Sequence, residues 1–465
     1  MFDLLFDIEI VLNAPFVGQD RFIVNFPHPQ HGLLRCQNPA AVKRVFLEIF
    51  AGEFRAEADL RGFKVSLPAP LNRPEGLADE KLLVRTESTS PDNILLALHV
   101  GDRMNGRIAL ARQTQGWSFA GARISFGGAP ATAPTTRDVY IRADLAEVNA
   151  DQWMPLLGEG SGEIPGFLAR VSANMNALTL FDRQFGNLAI DLSRGRDAWQ
   201  GTVNGPAIAG SVKFSGKGAT ARFEMDLAHL ILPDKQHERS DSPADPRRLP
   251  TVVLRSKSFE FRRKHLGELD FMAEPDNAGW QFRRLNLTRP DMKLNANGRW
   301  VFDGKNHESR FDIEFSSPDM GKTMEAFGAP DQLAGGEVQV RSQLSWSGSP
   351  ANPQLAALSG KVDVSAKKGR FLQVKSGAGR LFGLLDLSAI GRYLTLDFTP
   401  VFGKGLIYDR IQGEIKIEKG NAYTSGFSIR GPATQLDIGG RIGLATEDFD
   451  LALELQPKIS DTVTI

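Results

Sequence analysis

Near the end of the chain, Leu436, Ile438, Gly440, Ile442 and Leu444 alternate with Asp437, Gly439, Arg441 and Gly443. Successive side chains of a strand point to opposite faces, so this spacing predicts a β-strand with one apolar face and one polar or bare face. Phe449, Leu451, Leu453 and Leu455 repeat the pattern in the next run. A slip of one residue would turn every apolar side chain to the other face, so the alternation fixes register strongly.

The pattern recurs as a unit. Asp102-Arg103 leads through Gly106 to Ile108 and Leu110, then to a polar turn and Trp117. Asp182-Arg183 leads through Gly186 to Leu188, Ile190 and Leu192, then to a turn and Trp199. Arg263 to Gly267 leads to Leu269 and Phe271, a turn at Pro275-Asp276-Asn277, and Trp280. Asp409-Arg410 leads through Gly413 to Ile415 and Ile417, the turn at Lys419-Gly420, and Tyr423. The first three copies lie about 80 residues apart. Each reads as strand, hairpin turn and return strand opened by an aromatic residue. The Asp-Arg pairs read as turn structure, and Trp117, Trp199, Trp280 and Tyr423 as packing anchors. A second hairpin half follows: Gly205-Pro206 before Val212 and Phe214, Arg289-Pro290 before Met292 to Phe302, and Gly431-Pro432 before Leu436 to Leu444.

Three short segments read as helical: Asn149 to Met154, Ser317 to Gly328 with a capping residue at its start and glycine at its end, and Arg380 to Ile390. Pro233 to Pro250 reads as a polar, proline-rich loop. The expected fold class is mainly β: an elongated, repetitive, twisted antiparallel sheet forming an apolar-lined groove or open shell, with a few short helices. The expected modules are 1–90, 91–160, 161–250, 251–359 and 360–465.

Composition agrees. Phe is abundant at 30 and Gly at 46, which favours strands and turns over long helices. Lys+Arg and Asp+Glu balance at 55 each, so no net field gathers nucleic acid, and a nucleic-acid role is disfavoured. A single cysteine, Cys36, excludes an internal disulfide framework and any multi-cysteine metal site. No stretch reaches the roughly 18 consecutive apolar residues of a membrane helix.

Candidate chemistry is sparse. His28 and His31 are three apart, but Pro27 and Pro29 break the helix a shared ligand face would need. Gly377 to Gly383 misses the dinucleotide fingerprint by one residue and lacks a βαβ context. No nucleophile elbow, zinc-protease motif or phosphate-binding loop is present, and the carboxylates are scattered. The chain therefore reads as a non-enzyme, with no catalytic residue, metal or cofactor assigned.

From Gly360 onward the chain resembles the YhdP branch of the AsmA-like proteins. The resemblance rests on Gly369-Arg370-Phe371, Gly379 to Leu387, Leu394 to Phe398, Phe402 to Gly405 with Tyr408-Asp409, and Ile429 to Ala433. Leu67 to Pro70 and the tryptophan hairpins resemble it more loosely. The resemblance implies a largely periplasmic, inner-membrane-anchored protein of a Gram-negative envelope that carries phospholipid between inner and outer membranes along a β-lined groove. The family's N-terminal membrane helix is not in this sequence, and Thr464-Ile465 reads as the middle of a continuing segment, so a piece of a longer protein is expected.

Combining alternation with resemblance, the lipid-binding residues expected are Leu436, Ile438, Ile442 and Leu444, with Phe449, Leu451, Leu453 and Leu455, and Ile415 and Ile417 of the preceding hairpin. The same alternation would equally build a closed sandwich core, in which case the chain is a non-catalytic envelope scaffold or assembly protein. Protein partners are not indicated.

Overall fold

The structure is a computed structural model. It describes residues 45–50, 53–60, 68–70, 72, 81–114, 116–128, 130–153, 168–216, 220–236, 245–372, 406–432 and 434–457. His28, His31, Cys36, the Gly377 to Gly383 segment, the expected helix at Arg380 to Ile390, and the resemblance blocks between 379 and 405 lie outside these residues. The chain divides into two units, 1–207 with 234–236, and 208–233 with 237–465.

In the first unit the strands are β1 (Val45–Phe50), β2 (Glu53–Asp59), β3 (Lys81–Thr89), β4 (Asn93–Val100), β5 (Met104–Gln113), β6 (Gly116–Phe126), β7 (Val139–Asn149), β8 (Leu168–Leu180), β9 (Arg183–Arg194) and β10 (Ala198–Asn204). Each pairs with the next in chain order. The pairs are antiparallel except β6–β7 and β7–β8, which are parallel. Those two steps coincide with long connections, as parallel neighbours require. A helical turn occupies 150–153, where the sequence predicts one, and Asp151 accepts hydrogen bonds from the Phe181 and Asp182 amides, both 2.7 Å.

The second unit contains β11 (Ile208–Ser215), β12 (Arg222–Leu232), β13 (Thr251–Phe261), β14 (Lys264–Pro275), β15 (Gly279–Arg289), β16 (Met292–Phe302), β17 (His307–Ser317), helix α1 (Met320–Ala326), β18 (Leu333–Ser347), β19 (Ser359–Phe371), β20 (Leu406–Glu418), β21 (Asn421–Arg430), β22 (Thr434–Gly443) and β23 (Phe449–Pro457). Again each strand pairs with the next. Only β12–β13 is parallel, across the proline-rich connection predicted as a loop.

Turn chemistry explains why the strands fold back so tightly. Arg262 and Arg263 between β13 and β14, and Lys419 and Gly420 between β20 and β21, take positive φ at both central positions. That geometry matches the twist of the flanking strands. Phe181 and Asp182 do the same between β8 and β9. All four repeat copies contain the predicted hairpin, as the antiparallel pairs β5–β6, β9–β10, β14–β15 and β20–β21. One detail is corrected: Asp409-Arg410 lies inside β20 rather than in a turn, because that strand begins at Leu406.

The aromatic anchors divide. Trp199 is buried, and Trp280 donates from Nε1 to the Pro250 carbonyl at 3.0 Å. Trp117 and Tyr423 are instead 43% and 40% exposed, so neither is a packing anchor. For Tyr423 the register gives the reason: its neighbour Ala422 takes the apolar side opposite Ile417, which leaves Tyr423 opposite Lys416 among polar groups.

Helix α1 sits where the capping signal places it. Asp319 accepts from the Lys322 amide at 3.1 Å, and Gly328 adopts φ +79 after the last turn. Its Thr323 hydroxyl donates to the Asp291 carbonyl at 2.7 Å, tying the helix to the β15–β16 turn.

Candidate functional site: the apolar face of the second unit

Because every strand of the second unit follows its neighbour in order, residues directly opposite one another form rows that cross the sheet. One row runs Val212, Met225, Leu254, Phe271, Leu285, Ala296, Ile313, Ser342, Val362, Ile415, from β11 to β20. It is apolar at every strand except Ser342. One residue along each strand, the neighbouring row reads Ser211, Asp226, Arg255, Asp270, Asn286, Asn295, Glu314, Arg341, Asp363, Glu414, with no apolar member. Opposite residues share a face and successive residues do not, so the two rows are the two faces of one sheet.

The polar face is stitched by ion pairs at the surface, among them Arg284–Asp270 at 2.9 Å, Arg341–Glu314 at 3.5 Å and Lys361–Glu414 at 2.9 Å. Such exposed pairs contribute about 0–1 kcal/mol each, so they keep this face wet more than they hold it together.

The apolar face has a distinctive burial profile. Its central row is half-buried at every position but the buried Ala296. The fully buried side chains flank that row. Toward one end of the strands Leu269, Leu287 and Met292 pack with Phe327 at the end of α1. Toward the other end Phe282, Trp300, Phe311 and Trp346 pack with Leu249, beside the 3-10 turn at Pro246–Arg248. Phe282 and Phe311 meet edge to face at 5.0 Å over Gly298, which stands between them in register. Trp300 donates from Nε1 to His307 Nδ1 at 3.1 Å, so that nitrogen carries no proton, and burial pushes the His307 imidazole below its usual range. The flanks of the face are thus closed by aromatic and helical packing, while its middle is the more accessible part.

Of the residues predicted as lipid-binding, all but Leu444 lie on this face. Leu436, Ile438 and Ile442 of β22 stand opposite Leu455, Leu453 and Phe449 of β23, with Leu451 opposite Gly440. Ile442 also faces Ala422, which faces Ile417. Ile415 ends the long central row. Leu436 is 2% exposed, whereas Phe449, Leu453 and Leu455 are 58%, 47% and 53% exposed. Leu444 falls in the turn after β22, its amide donating to the Gly420 carbonyl at 2.7 Å. Phe271, Leu285, Ile313 and Val362, outside the C-terminal strands singled out by sequence, share this face, and the alternation that marks β22 is present in their strands too.

At the β22–β23 turn the Arg441 guanidinium and the Thr446 hydroxyl hold the Asp448 carboxyl down to about 2. Among the described residues no helix is long and apolar enough to cross a membrane, and no group of three His, Cys, Asp or Glu could hold a metal ion.

Comparison with known proteins gives this geometry a context. A family model described as "YhdP protein" matches residues 40–465. The chain is 22% identical over 437 residues to the protein of Escherichia coli (strain K12) named "Intermembrane phospholipid transporter YhdP". That alignment takes in 88% of this chain and 33% of the relative, so the chain spans about a third of the relative's length. No solved structure matches.

Proposed function

The chain belongs to the YhdP family, and from that premise we propose that it is part of an intermembrane phospholipid transporter in which the apolar face of the second unit carries acyl chains. The observation that supports this most is the burial profile. In a sheet covered by a second layer the central row should be the most buried, because sheet cores are built from inner-face residues remote from solvent. Here the central row from Val212 to Ile415 is half-buried at every position but Ala296, while the flanks are closed.

Magnitudes fit the role. Exposing an acyl chain to water costs about 0.8 kcal/mol per CH₂, on the order of 20 kcal/mol for two chains of some 15 carbons. A strand such as β22, with ten residues, spans about 33 Å, against about 15 Å for the hydrocarbon of one leaflet. One strand length is ample to cover a tail. The rows are uninterrupted from β11 to β20, and a second set continues through Ile417, Ala422, Ile442 and Phe449 to β23, so a tail can move from strand to strand without meeting a charged side chain. On this reading Ile438, Ile442, Phe449, Leu451, Leu453, Leu455 and Ile415 line the path, the buried Leu436 and Ile417 support it by packing beside it, Leu444 stands at its margin, and the protein works in the Gram-negative envelope with phospholipid as its cargo.

The test is site-specific photocrosslinking in the full-length protein, with a diazirine amino acid at Ile313 on the apolar row and, as control, at Glu314 on the polar row. Mass spectrometry should find phospholipid adducts through the acyl chain at 313 and none at 314. Equal labelling at both, or none at 313, would remove the support for an acyl path and favour a sheet whose apolar face is covered by protein.

A further inference from the structure

On the polar side of the second unit, Lys367 of β19 stands directly opposite Arg410 of β20, and Arg410 directly opposite Arg430 of β21. Directly opposite side chains have Cβ atoms about 5 Å apart, and like charges there are destabilising. All three residues are exposed.

Elsewhere in this unit the same conflict is resolved within the sheet. Arg299 faces Arg310, but Arg299 is paired with Asp276 and Arg310 with Glu308. Lys361 faces Lys416, but Glu414 takes Lys361 at 2.9 Å and Glu418 takes Lys416 at 2.5 Å. Lys367, Arg410 and Arg430 form no ion pair among the described residues. Glu337 stands directly opposite Lys367 and offsets part of its charge without forming an ion pair, and Asp409, beside Arg410 in sequence, pairs with none of the three, so Arg410 and Arg430 face only cations and the neutral Gln435. Two further exposed cations, Lys368 and Arg370, adjoin the row, and Lys368 takes φ 52, a conformation rare for a side-chain-bearing residue. With equal totals of acidic and basic residues the chain has no net field, so this concentration of positive charge is local.

We propose that Lys367, Arg410 and Arg430 form a phosphate-binding ladder, an anion being the missing partner that offsets their mutual repulsion. Planar arginine forks bind phosphate oxygens in pairs, and two arginines with a lysine across three strands suit a phosphate ester or a row of them at a lipid surface. The ladder lies on the face opposite the acyl path, so it stands or falls independently of that path.

The experiment measures sedimentation of the full chain with phosphatidylcholine vesicles, with and without phosphatidylglycerol, alongside melting temperature with and without inorganic phosphate. The parent should bind the phosphatidylglycerol vesicles. Arg410→Gln should weaken binding about fivefold, and the triple Lys367→Gln/Arg410→Gln/Arg430→Gln variant on the order of a hundredfold. Neither variant should melt below the parent, because each loses a repulsion. Lys361→Gln removes one charge from a compensated row and should bind as the parent does. If vesicles do not bind but inorganic phosphate raises the melting temperature of the parent and not of the triple variant, the ladder holds free phosphate rather than a headgroup. Equal vesicle binding by parent and triple variant, an equal loss in Lys361→Gln, or no response to either vesicles or phosphate would overturn the ladder.

Discussion

Leu436 and Leu455 face one another across β22 and β23, and they allow the openness of the apolar face to be measured by substitution. Leu436 is 2% exposed and Leu455 53%. Burying a leucine side chain fully is worth about 1.5–3 kcal/mol. Leu455 realises roughly half of that, so Leu455→Asp should cost on the order of 1 kcal/mol, with its carboxylate remaining in water. Leu436→Asp loses the whole transfer term, leaves a void among Ala366, Tyr408, Ile411 and Ile429, and buries a carboxylate without a partner. Truncation alone costs about 2–5 kcal/mol at such sites and the charge adds several more, comparable with the roughly 5–15 kcal/mol that holds a typical domain together. Urea unfolding should give Leu455→Asp a midpoint close to the parent's and Leu436→Asp a large shift or no cooperative transition. The folded Leu455→Asp protein, photolabelled from Leu453, should then lose its acyl adduct. If Leu455→Asp unfolds as readily as Leu436→Asp, the face is covered rather than open. If Leu455→Asp folds and still labels acyl chains from Leu453 as before, residue 455 does not lie on the acyl path.

Two further outcomes follow from local geometry. At Gly298 an added Cβ would lie 2.4 Å from the Arg310 carbonyl oxygen and 2.5 Å from Phe311 Cδ1, so Gly298→Ala should strain the β16–β17 pairing, part the Phe282–Phe311 contact and cost about 1–3 kcal/mol in a denaturation experiment; an unchanged midpoint would refute this close approach. Asp448, held near 2 by Arg441 and Thr446 against an ordinary 3.8, should contribute stability that is fully present above pH 3.8 and lost as pH falls through about 2; Arg441→Gln should move its NMR titration midpoint back up toward 3.8, and a parent midpoint already there would refute the pairing.

What the chain alone determines is local. Alternation along Leu436 to Leu444 names the apolar side of a strand, and the glycine-bearing turns say where strands reverse. The cap at Asp319 and the stop at Gly328 delimit a helix. Each signal spans ten residues or fewer, and the structure reproduces them as β22, the four repeat hairpins and α1. Signals of this kind fail where context outweighs propensity, as at Asp409-Arg410, drawn into β20, and at Tyr423, which register turns to the polar side.

Everything that depends on which strand meets which, and in what register, is decided only by the folded sheet. Val212 and Ile415 lie on one row although some 200 residues separate them, because nine successive pairings, one of them parallel, happen to preserve parity. Bulges such as those at Ser256/Phe259 and Phe282/Leu285 shift register within a pair, so no count along the chain recovers the rows. The accessibility of the central row and the unpaired Lys367–Arg410–Arg430 ladder belong to the same class. Each is a relation between distant residues, and a strand's own sequence specifies its two faces without specifying its neighbours.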